Sequence, residues 1–220
     1  MKKTFILFAL LSFVIGNISA QDLSPNRRLK SGVWLKLGYD ATFSNFLTQK
    51  GITVSGDKVS DYGVNFQFGS TFYIGPRIAN KLRFGLDAAW IDFSYFQFNQ
   101  NFWDNGMGFF FNFLEVGPKI SFSPVSSIAF DLYGRIVPSF SLLIGNQSVQ
   151  NTTYNYVYNG FNASGIMGAS FRYKVFMAGV EYNFGKMTYN VTTEDSNPYQ
   201  IDKTPKIITN NLRVYIGFKF

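Results

Sequence analysis

The last eleven residues of the chain, 210–220, alternate between polar and apolar side chains with a period of two. In the sequence NNLRVYIGFKF the apolar face carries Leu212, Val214, Ile216, Phe218 and Phe220. This period predicts a β-strand with one apolar and one polar face. The strand ends on an apolar aromatic residue, whereas the end of a water-soluble domain usually frays into polar residues. The first question is therefore which medium the apolar face contacts.

Seven further segments repeat the alternation, so the predicted strand count is eight. These segments cover residues 33–43, 62–74, 81–98, 106–122, 127–143, 160–173 and 175–191. In the segment 81–98 the register slips near Trp90 and Ile91, as a β-bulge would cause, and the segment 106–122 is least regular before Leu114. Aromatic residues make up 19% of the chain and charged residues only 15%, an unusual balance for a water-exposed globule. The pattern predicts a β-barrel.

The predicted connections alternate between short and long. Residues 75–81, 123–127 and 173–175 hold the Gly, Pro, Ser and Asn of tight turns, and longer polar joins are expected at 45–61, 99–106, 145–159 and 192–205. Short turns at one rim and long loops at the other are typical of bacterial outer-membrane barrels. We expect an all-β fold, an eight-stranded antiparallel transmembrane β-barrel with up-and-down topology. Both chain ends then lie at the short-turn, periplasmic rim.

The residues on the polar face distinguish a membrane barrel from a soluble barrel of the lipocalin kind, whose apolar face points inward. Glycines and charged residues of both signs alternate with large apolar residues, and one Arg or Lys facing lipid at mid-depth costs about 2–4 kcal/mol. The polar face is therefore expected to line the lumen. Its charged residues are Lys36, Asp40, Arg83, Asp87, Glu115, Lys119, Asp131, Arg135, Arg172, Glu181 and Arg213.

These eleven charges are expected to form one network that fills the lumen. The expected neighbours are Lys36/Asp40, Arg83/Asp87, Glu115/Lys119, Asp131/Arg135 and Glu181/Arg213. Because the interior of an eight-stranded barrel is just wide enough for side chains to fill, we expect no wide aqueous path.

The N-terminus has the three-part layout of a secretory signal peptide. Basic Lys2 and Lys3 precede an apolar run, and small residues at Ser19 and Ala20 precede Gln21. We expect residues 1–20 to be the signal peptide, 21–32 a periplasmic N-terminal segment and 33–220 the barrel domain. The predicted location is the cell outer membrane.

The composition excludes several kinds of chemistry. The chain has no His and no Cys, and its net charge of +7 is not gathered into the clustered run that nucleic-acid binding requires. Glu115 and Asp131 are expected to approach each other on neighbouring strands, but Lys119 and Arg135 on the same faces would keep both acids ionised. We therefore expect a structural charge ladder rather than a catalytic pair. No metal, nucleotide or other cofactor motif is found.

The whole pattern resembles the small outer-membrane barrels of the OmpA/OmpX type. Within that group, the chain resembles the PorT-like porin family in three segments: FLEVGPKISF (113–122), YGRIVPSF (133–140) and GASFRYKVFMAGVEYNFG (168–185). That family often has the sequence Leu-Glu-aliphatic-Pro in the fourth strand, whereas here Gly117 lies between the aliphatic residue and Pro118. The resemblance implies that the aromatic C-terminus, Tyr215, Phe218 and Phe220, is an assembly signal for the barrel-insertion machinery. Phe218 and Phe220 are also expected in the aromatic girdle at the membrane boundary.

A non-enzymatic outer-membrane barrel with a filled lumen, acting structurally or through its extracellular loops, is the function we predict. The alternative is a small porin-like channel or an accessory component of a secretion or uptake machine. Tyr154, Tyr156 and Tyr158 are candidates for loop binding, with the interfacial girdle as their other interpretation. The expected partners are outer-membrane lipid, the insertion machinery, and a protein on the extracellular or periplasmic side, but not nucleic acid.

Overall fold

A computed structural model describes residues 29–42, 48–49, 52–53, 62–100, 103–149, 152–193 and 206–220. The predicted signal peptide and residues 21–28 of the N-terminal segment lie outside this part of the chain. The described strands are β1 (Gly32–Thr42), β2 (Thr48–Gln49), β3 (Ile52–Thr53), β4 (Tyr62–Ile78), β5 (Leu82–Gln100), β6 (Trp103–Val125), β7 (Ile128–Val149), β8 (Thr152–Tyr173), β9 (Phe176–Phe184), β10 (Lys186–Thr193), β11 (Lys206–Ile208) and β12 (Asn211–Lys219).

Eight of these strands close into an antiparallel ring in the order β1, β4, β5, β6, β7, β8, β9 and β12. The ring closes where β12 pairs with β1, from Trp34↔Lys219 to Thr42↔Asn211. β10 follows β9 after Gly185 and pairs with β8 in the same register as β9 does. In the same way, β11 precedes β12 and pairs with β10 in the register in which β12 pairs with β9. β2 and β3 form a separate small hairpin. The predicted eight-stranded meander is confirmed.

The three predicted tight turns lie at one end of the barrel. Ala79 and Asn80 both have positive φ (49° and 56°), and Lys81 N donates to the carbonyl of Ile78 at 3.1 Å. Ser126–Ser127 and Lys174–Val175 form the other two turns, and Phe220 N donates to Val33 O at 2.9 Å beside them. We call this end, residues 29–33, 74–84, 121–130, 171–178 and 217–220, the short-turn rim.

Two of the four predicted long loops are wrong. Residues 99–106 and 145–159 belong almost entirely to strands, since β5 and β6 reach residues 100 and 103 while β7 and β8 reach 149 and 152. The other two, 45–61 and 192–205, lie mainly outside the described residues. These hairpins close at the end of the barrel opposite the short-turn rim. We call that end the loop rim.

The predicted register slip is a β-bulge at Trp90. Phe68 pairs with Ile91 and Gly69 with Ala89, so Trp90 has no partner on β4. Its neighbour across β6 is Leu114, which has a φ of 56° and marks a second shift against β7. This bulge explains why the alternation is irregular before Leu114. Beyond a bulge every side chain changes face.

The barrel is apolar outside and polar inside. Outward residues such as Leu132, Ile136 and Ile216 are 62–68% exposed, while inward Gln67, Asp92 and Ser121 are fully buried. This is the reverse of a water-soluble domain, and it is the arrangement of a transmembrane β-barrel. No helix in the described part of the chain has the length and apolarity that a membrane span requires.

Glycines on the inner wall make room for aromatic side chains. A Cβ atom on Gly69 would lie 2.3 Å from the Trp34 ring, and one on Gly168 would lie 2.4 Å from the Tyr133 ring. Each glycine is the ladder partner of the aromatic residue on the neighbouring strand, so each ring lies over a position without a side chain.

Candidate functional site

Ten of the eleven predicted lumen charges are buried inside the barrel, each at most 2% exposed. The exception is Arg83, which lies half-buried at the short-turn rim and donates to the carbonyls of Leu29 (2.5 Å) and Gly75 (3.3 Å). The structure adds two charges that the sequence interpretation did not include, Asp92 and Lys219. With these changes the buried charges are six cations and six anions: Lys36, Lys119, Arg135, Arg172, Arg213, Lys219, Asp40, Asp87, Asp92, Glu115, Asp131 and Glu181.

Glu181 on β9 is the centre of the larger of two charge clusters. Its Oε1 atom accepts from Lys36 Nζ at 2.7 Å and Arg135 Nη2 at 2.6 Å, and its Oε2 atom accepts from Arg213 Nη1 at 3.0 Å. Gln67 donates to Oε2 at 2.8 Å and Tyr133 to Oε1 at 2.7 Å. One carboxylate thus joins side chains from β1, β4, β7, β9 and β12. Because buried charges are stable only when paired, this arrangement ties five strands together.

Arg213 extends this cluster toward the loop rim. Its Nε atom contacts Asp40 Oδ1 at 2.7 Å, and its Nη1 atom contacts Asp92 Oδ2 at 2.9 Å. Asp92 also accepts hydrogen bonds from Asn65, Gln67 and Asn112. Arg135 completes the cluster through Glu115, with Nη1 and Oε2 2.9 Å apart.

The second cluster surrounds Asp131, nearer to the short-turn rim. Asp131 Oδ2 lies 2.7 Å from Arg172 Nε and 3.5 Å from Lys119 Nζ, and Lys119 Nζ also contacts Asp87 Oδ1 at 2.9 Å. Ser121 and Ser170 donate to the two carboxylate oxygens of Asp131 at 2.5 and 3.1 Å. Arg172 Nη2 donates to Oδ1 at 2.9 Å, so each oxygen of this acid has both a cation and a hydroxyl as partners.

Aromatic side chains join the two clusters. Tyr133 accepts from Lys36 Nζ at 3.1 Å, and its hydroxyl lies 2.8 Å from that of Tyr215. The ammonium of Lys36 lies over the rings of Trp34 and Tyr215 at 4.3 and 4.4 Å, and that of Lys119 lies 5.4 Å from the Tyr133 ring. These cation–π contacts stabilise charges that lipid and strands shield from water.

Four of the five predicted charge pairs are wrong, and only Glu181/Arg213 is confirmed. Lys36 pairs with Glu181, Asp40 with Arg213, Asp87 with Lys119 and Glu115 with Arg135. Residues four apart on a strand are separated by about 13 Å at 3.3 Å per residue, whereas facing residues on neighbouring strands have Cβ atoms about 5 Å apart. Ion pairs in a barrel therefore form across strands.

The predicted approach of Glu115 and Asp131 is also wrong. Asp131 faces Ser121 in the β6–β7 register, while Val116, next to Glu115, faces Ile136. The two acids belong to different clusters, each with its own cation. Within the described residues, no group of three or more acidic, His or Cys side chains is arranged to hold a metal ion.

The candidate loop-binding residues Tyr156 and Tyr158 face the lumen instead of the surroundings. They are 0% and 3% exposed, and the Tyr158 ring packs edge-on against Tyr189, with centroids 6.3 Å apart. The side chain of Tyr154 lies outside the described residues. Both earlier interpretations, surface binding and interfacial girdle, required exposure, so both are wrong for Tyr156 and Tyr158.

These tyrosines belong to a part of the barrel in which the polarity of the walls reverses. We call the described residues within 96–110, 143–160 and 186–193 the upper barrel, and the rest of the ring the lower barrel. Inward residues of the upper barrel are apolar or aromatic: Phe96, Phe110, Leu143, Tyr156, Tyr158, Met187 and Tyr189. Its outward residues on β8 and β10 are largely polar, including Asn155, Asn159, Thr188, Asn190 and Thr192. On β6 and β7 the outward face remains apolar, with Met107, Phe109 and Ile144.

The proposed assembly residues divide between the two faces. Tyr215 is 2% exposed and lies in the lumen, whereas Phe218 and Phe220 are 41% and 46% exposed on the outer face. The Phe218 ring packs against Phe176, with centroids 5.2 Å apart. Only the two phenylalanines are therefore presented to the surroundings of the barrel.

Comparison with solved structures returns small barrels. Neisserial surface protein A is 12% identical and covers 86% of this chain and 99% of its own, with a TM-score of 0.45. Ail, the attachment invasion locus protein of Yersinia pestis, solved with the heparin analogue sucrose octasulfate, is 13% identical and covers 87% and 100%, with a TM-score of 0.46. OprG from Pseudomonas aeruginosa is 13% identical and covers 87% and 97%, with a TM-score of 0.42.

No family model matches the chain, and no curated protein sequence matches it. At 12–13% identity the similarity to these three structures concerns architecture alone and identifies no ligand or activity. The chain is similar in fold to small barrels described as surface, attachment and outer-membrane proteins.

Proposed function

We propose that this chain is an integral outer-membrane barrel without enzymatic activity, exported by its N-terminal signal peptide, which acts through the upper barrel at the extracellular face. The observation that carries the proposal is the reversal of wall polarity. A lower barrel with an apolar exterior fits lipid, and an upper barrel with polar residues outside on β8 and β10 fits water. The resemblance to OmpA/OmpX-type barrels, and to the PorT-like porin family within them, supports the same location.

The packed lumen argues against a channel as the main role. The twelve buried charges are at most 7% exposed, and most are bonded to partners on other strands. A side-chain-filled interior is expected for eight strands. Binding at the surface is therefore favoured over transport through the barrel.

The upper part of β8 is the best candidate for the binding element. Its outward residues Thr153 and Asn155 are exposed, in the part of the barrel that we assign to the extracellular side of the lipid. Exposed residues carried by a rigid scaffold are common binding positions. We propose a protein as the partner class.

Planar-bilayer recording tests the closed lumen. Purified, folded protein is expected to give little or no steady conductance. Large and stable open-channel steps from the monomer would overturn the proposal in favour of a porin-like channel.

Site-specific photo-crosslinking on intact cells tests the binding element. A photo-reactive residue at exposed Thr153 is expected to form adducts with protein partners, whereas the same residue at Lys174 in the opposite rim serves as the control. Replacing residues 147–154 with Asn-Gly links Asn146 to its ladder partner Asn155 through a two-residue turn. The register of the remaining β7–β8 pairs is retained. If the shortened protein recovers the same partners in a pull-down as the full-length chain, the upper part of β8 is not the binding element.

A further inference from the structure

The short-turn rim carries a strong excess of positive charge. Within its residues there are seven cations and no acid: Lys30, Arg77, Lys81, Arg83, Arg172, Lys174 and Lys219. Asp131, which follows the rim residues 121–130 in the chain, is buried in the lumen and paired with Arg172. The other acids whose side chains are described are also buried in the lumen: Asp40, Asp87, Asp92, Glu115 and Glu181. Arg172 and Lys219 are buried, whereas the other five cations of the rim are half-buried or exposed. The described part of this rim therefore presents positively charged side chains at the level where a barrel meets lipid headgroups.

A small cavity lies within this rim, between the N-terminal segment and two turns. It has a volume of about 140 Å³ and is walled by Arg77 and Lys81 on one side, by Ser123 and Val125 on the other, and by Leu29. Since a water molecule occupies about 30 Å³ in the liquid, the space holds a few waters or one tetrahedral oxyanion group.

Hydrogen bonds hold the walls of this cavity in place. Arg83 donates to the carbonyl of Leu29 at 2.5 Å, and Ser31 Oγ accepts from Tyr73 N at 2.9 Å, so the N-terminal segment is fixed over the barrel mouth. Ser123 N donates to Lys81 O at 2.7 Å and joins the two turns. The cavity is thus formed in advance, which reduces the ordering cost of binding.

An apolar surface continues outward from the cavity. Ile78 and Val125 are both 52% exposed, and Phe84 and Phe122 on the same outer wall are 46% and 43% exposed. A cationic recess beside an apolar wall matches a molecule that has an anionic head and an apolar tail. Free phosphate would use only the recess.

We propose that this cavity binds the phosphodiester headgroup of an anionic glycerophospholipid, with Arg77 and Lys81 contacting the phosphate and the acyl chains lying on Ile78, Phe84, Phe122 and Val125. The inference goes beyond the proposed function, because it needs neither a closed lumen nor a partner at the upper barrel. It assigns one bound lipid to a defined position on the barrel circumference.

The test is native mass spectrometry of lipid retention. Three proteins are titrated with phosphatidylglycerol against a phosphatidylcholine background. They are the wild type, the cavity variant Arg77→Gln/Lys81→Gln and the control variant Lys30→Gln/Lys174→Gln. The control removes the same number of rim charges outside the cavity. Each cation near an anionic lipid contributes on the order of 1 kcal/mol, so the cavity variant is expected to retain phosphatidylglycerol about tenfold or more less tightly. The control should change less than about threefold.

Two results would overturn the site. Unchanged retention by the cavity variant would show that Arg77 and Lys81 do not hold the lipid, and equal losses in both variants would show diffuse attraction by the rim. Inorganic phosphate provides the second arm. If it displaces the lipid at millimolar concentration and Ile78→Ser/Val125→Ser leaves lipid retention unchanged, the ligand is free phosphate and the lipid assignment is wrong. Heat-modifiable gel shifts confirm that each variant is folded.

Discussion

β9 and β10 follow one another along a single strand path, but the polarity of their inner and outer faces is opposite. In β9 the outward residues are Phe176, Val180 and Phe184, and the inward side carries Glu181. In β10, the outward residues are polar, while Met187 and Tyr189 point inward and are buried. The register on β8 does not change between the two halves, so the same faces are compared.

With β10 above the lipid, as we propose, the surrounding medium, and not the lumen, decides which side chains each wall carries. In lipid the outer wall must be apolar, which leaves the inner wall for charges that neutralise one another. Above the lipid the outer wall can be hydrated, and apolar packing inside then stabilises the strands as it does in soluble proteins. β9 has nine residues, which matches the 9–11 residues that a strand needs to cross a bilayer. We propose Gly185 as the membrane boundary on this strand path.

The largest effect is expected from Glu181 in the lower barrel. Glu181→Gln leaves Lys36, Arg135 and Arg213 with one negative charge too few, and breaking a buried pair costs about 3–5 kcal/mol. Urea unfolding in lipid vesicles, followed by Trp fluorescence, measures the change. Asp40→Asn, which removes an acid with Arg213 as its only ion-pair partner within the described chain, is the control and should cost less. Equal costs would show that Glu181 is not the centre of the cluster.

The proposed boundary is tested by placing the same cation on each side of Gly185. Val180→Arg puts a charge on the outer wall in lipid and is expected to destabilise the barrel by about 2–4 kcal/mol. Thr188→Arg puts it on the outer wall of the upper barrel, where surface substitutions usually change stability by less than about 0.5 kcal/mol. The same unfolding measurement applies. Similar costs at both positions would place β10 in the membrane and remove the main support for the proposed function.

A smaller difference is expected when one hydroxyl is removed from each half. Tyr133 bonds to the carboxylate of Glu181 and to Lys36, so Tyr133→Phe should cost about 1.5–3 kcal/mol, as for hydrogen bonds to charged groups. Within the described residues Tyr189 donates to the neutral hydroxyl of Ser141, at 3.0 Å, so Tyr189→Phe should cost about 0.5–1.5 kcal/mol. The reverse order would mean that the polar contacts of the upper barrel matter more than its packing.

The smallest effect on stability, and the largest on assembly, is expected at Phe220. Phe220→Asp leaves the lumen clusters untouched, so the unfolding midpoint of refolded protein should change little. If Phe220 is part of the signal for the insertion machinery, the folded fraction in membranes should fall sharply, as seen by heat-modifiable gel shift. Tyr215, which is buried in the lumen, should not act through the same recognition. A normal folded yield from Phe220→Asp would refute the assembly role.

Alternation and turn chemistry predicted most of the fold. Period two located the eight strands, and the turn residues located the three tight connections, because both signals are local and period two is strict. The slip at Trp90 was also visible, since a bulge leaves two consecutive outward residues. Parity along each strand then identified ten of the buried charges.

The charge pairs were not predictable from spacing along a strand. Cross-strand distances depend on register, which no single strand determines, so Glu115 was matched with Lys119 instead of Arg135. Asp92 was missed although the bulge at Trp90 predicts it, because every residue beyond a bulge changes face. Lys219 shares its parity with Arg213, so the same alternation predicts that it faces the lumen.

The polar residues of the upper barrel misled the sequence interpretation for a different reason. The polar composition around Asn155 and Asn159 predicts a loop, because a strand whose outer face contacts water resembles a loop in composition more than it resembles a lipid-facing strand. The orientation of Tyr156 and Tyr158 could have been derived, since both share the parity of Arg172 along an unbroken strand. Periodicity is therefore the better guide at a membrane boundary, where composition changes its meaning.

The cluster around Glu181 has a consequence for the order in which the barrel forms. Lys36 and Glu181 are 145 residues apart, and Asp40 and Arg213 are 173 apart, so both contacts depend on the pairing of β12 with β1. Until that pairing forms, these side chains lack their partners, and an open sheet would expose them inside the bilayer. Contacts of such long sequence separation form slowly. Opening this pairing would return the same charges to lipid, so this barrel should be slow to close and, once closed, slower still to come apart.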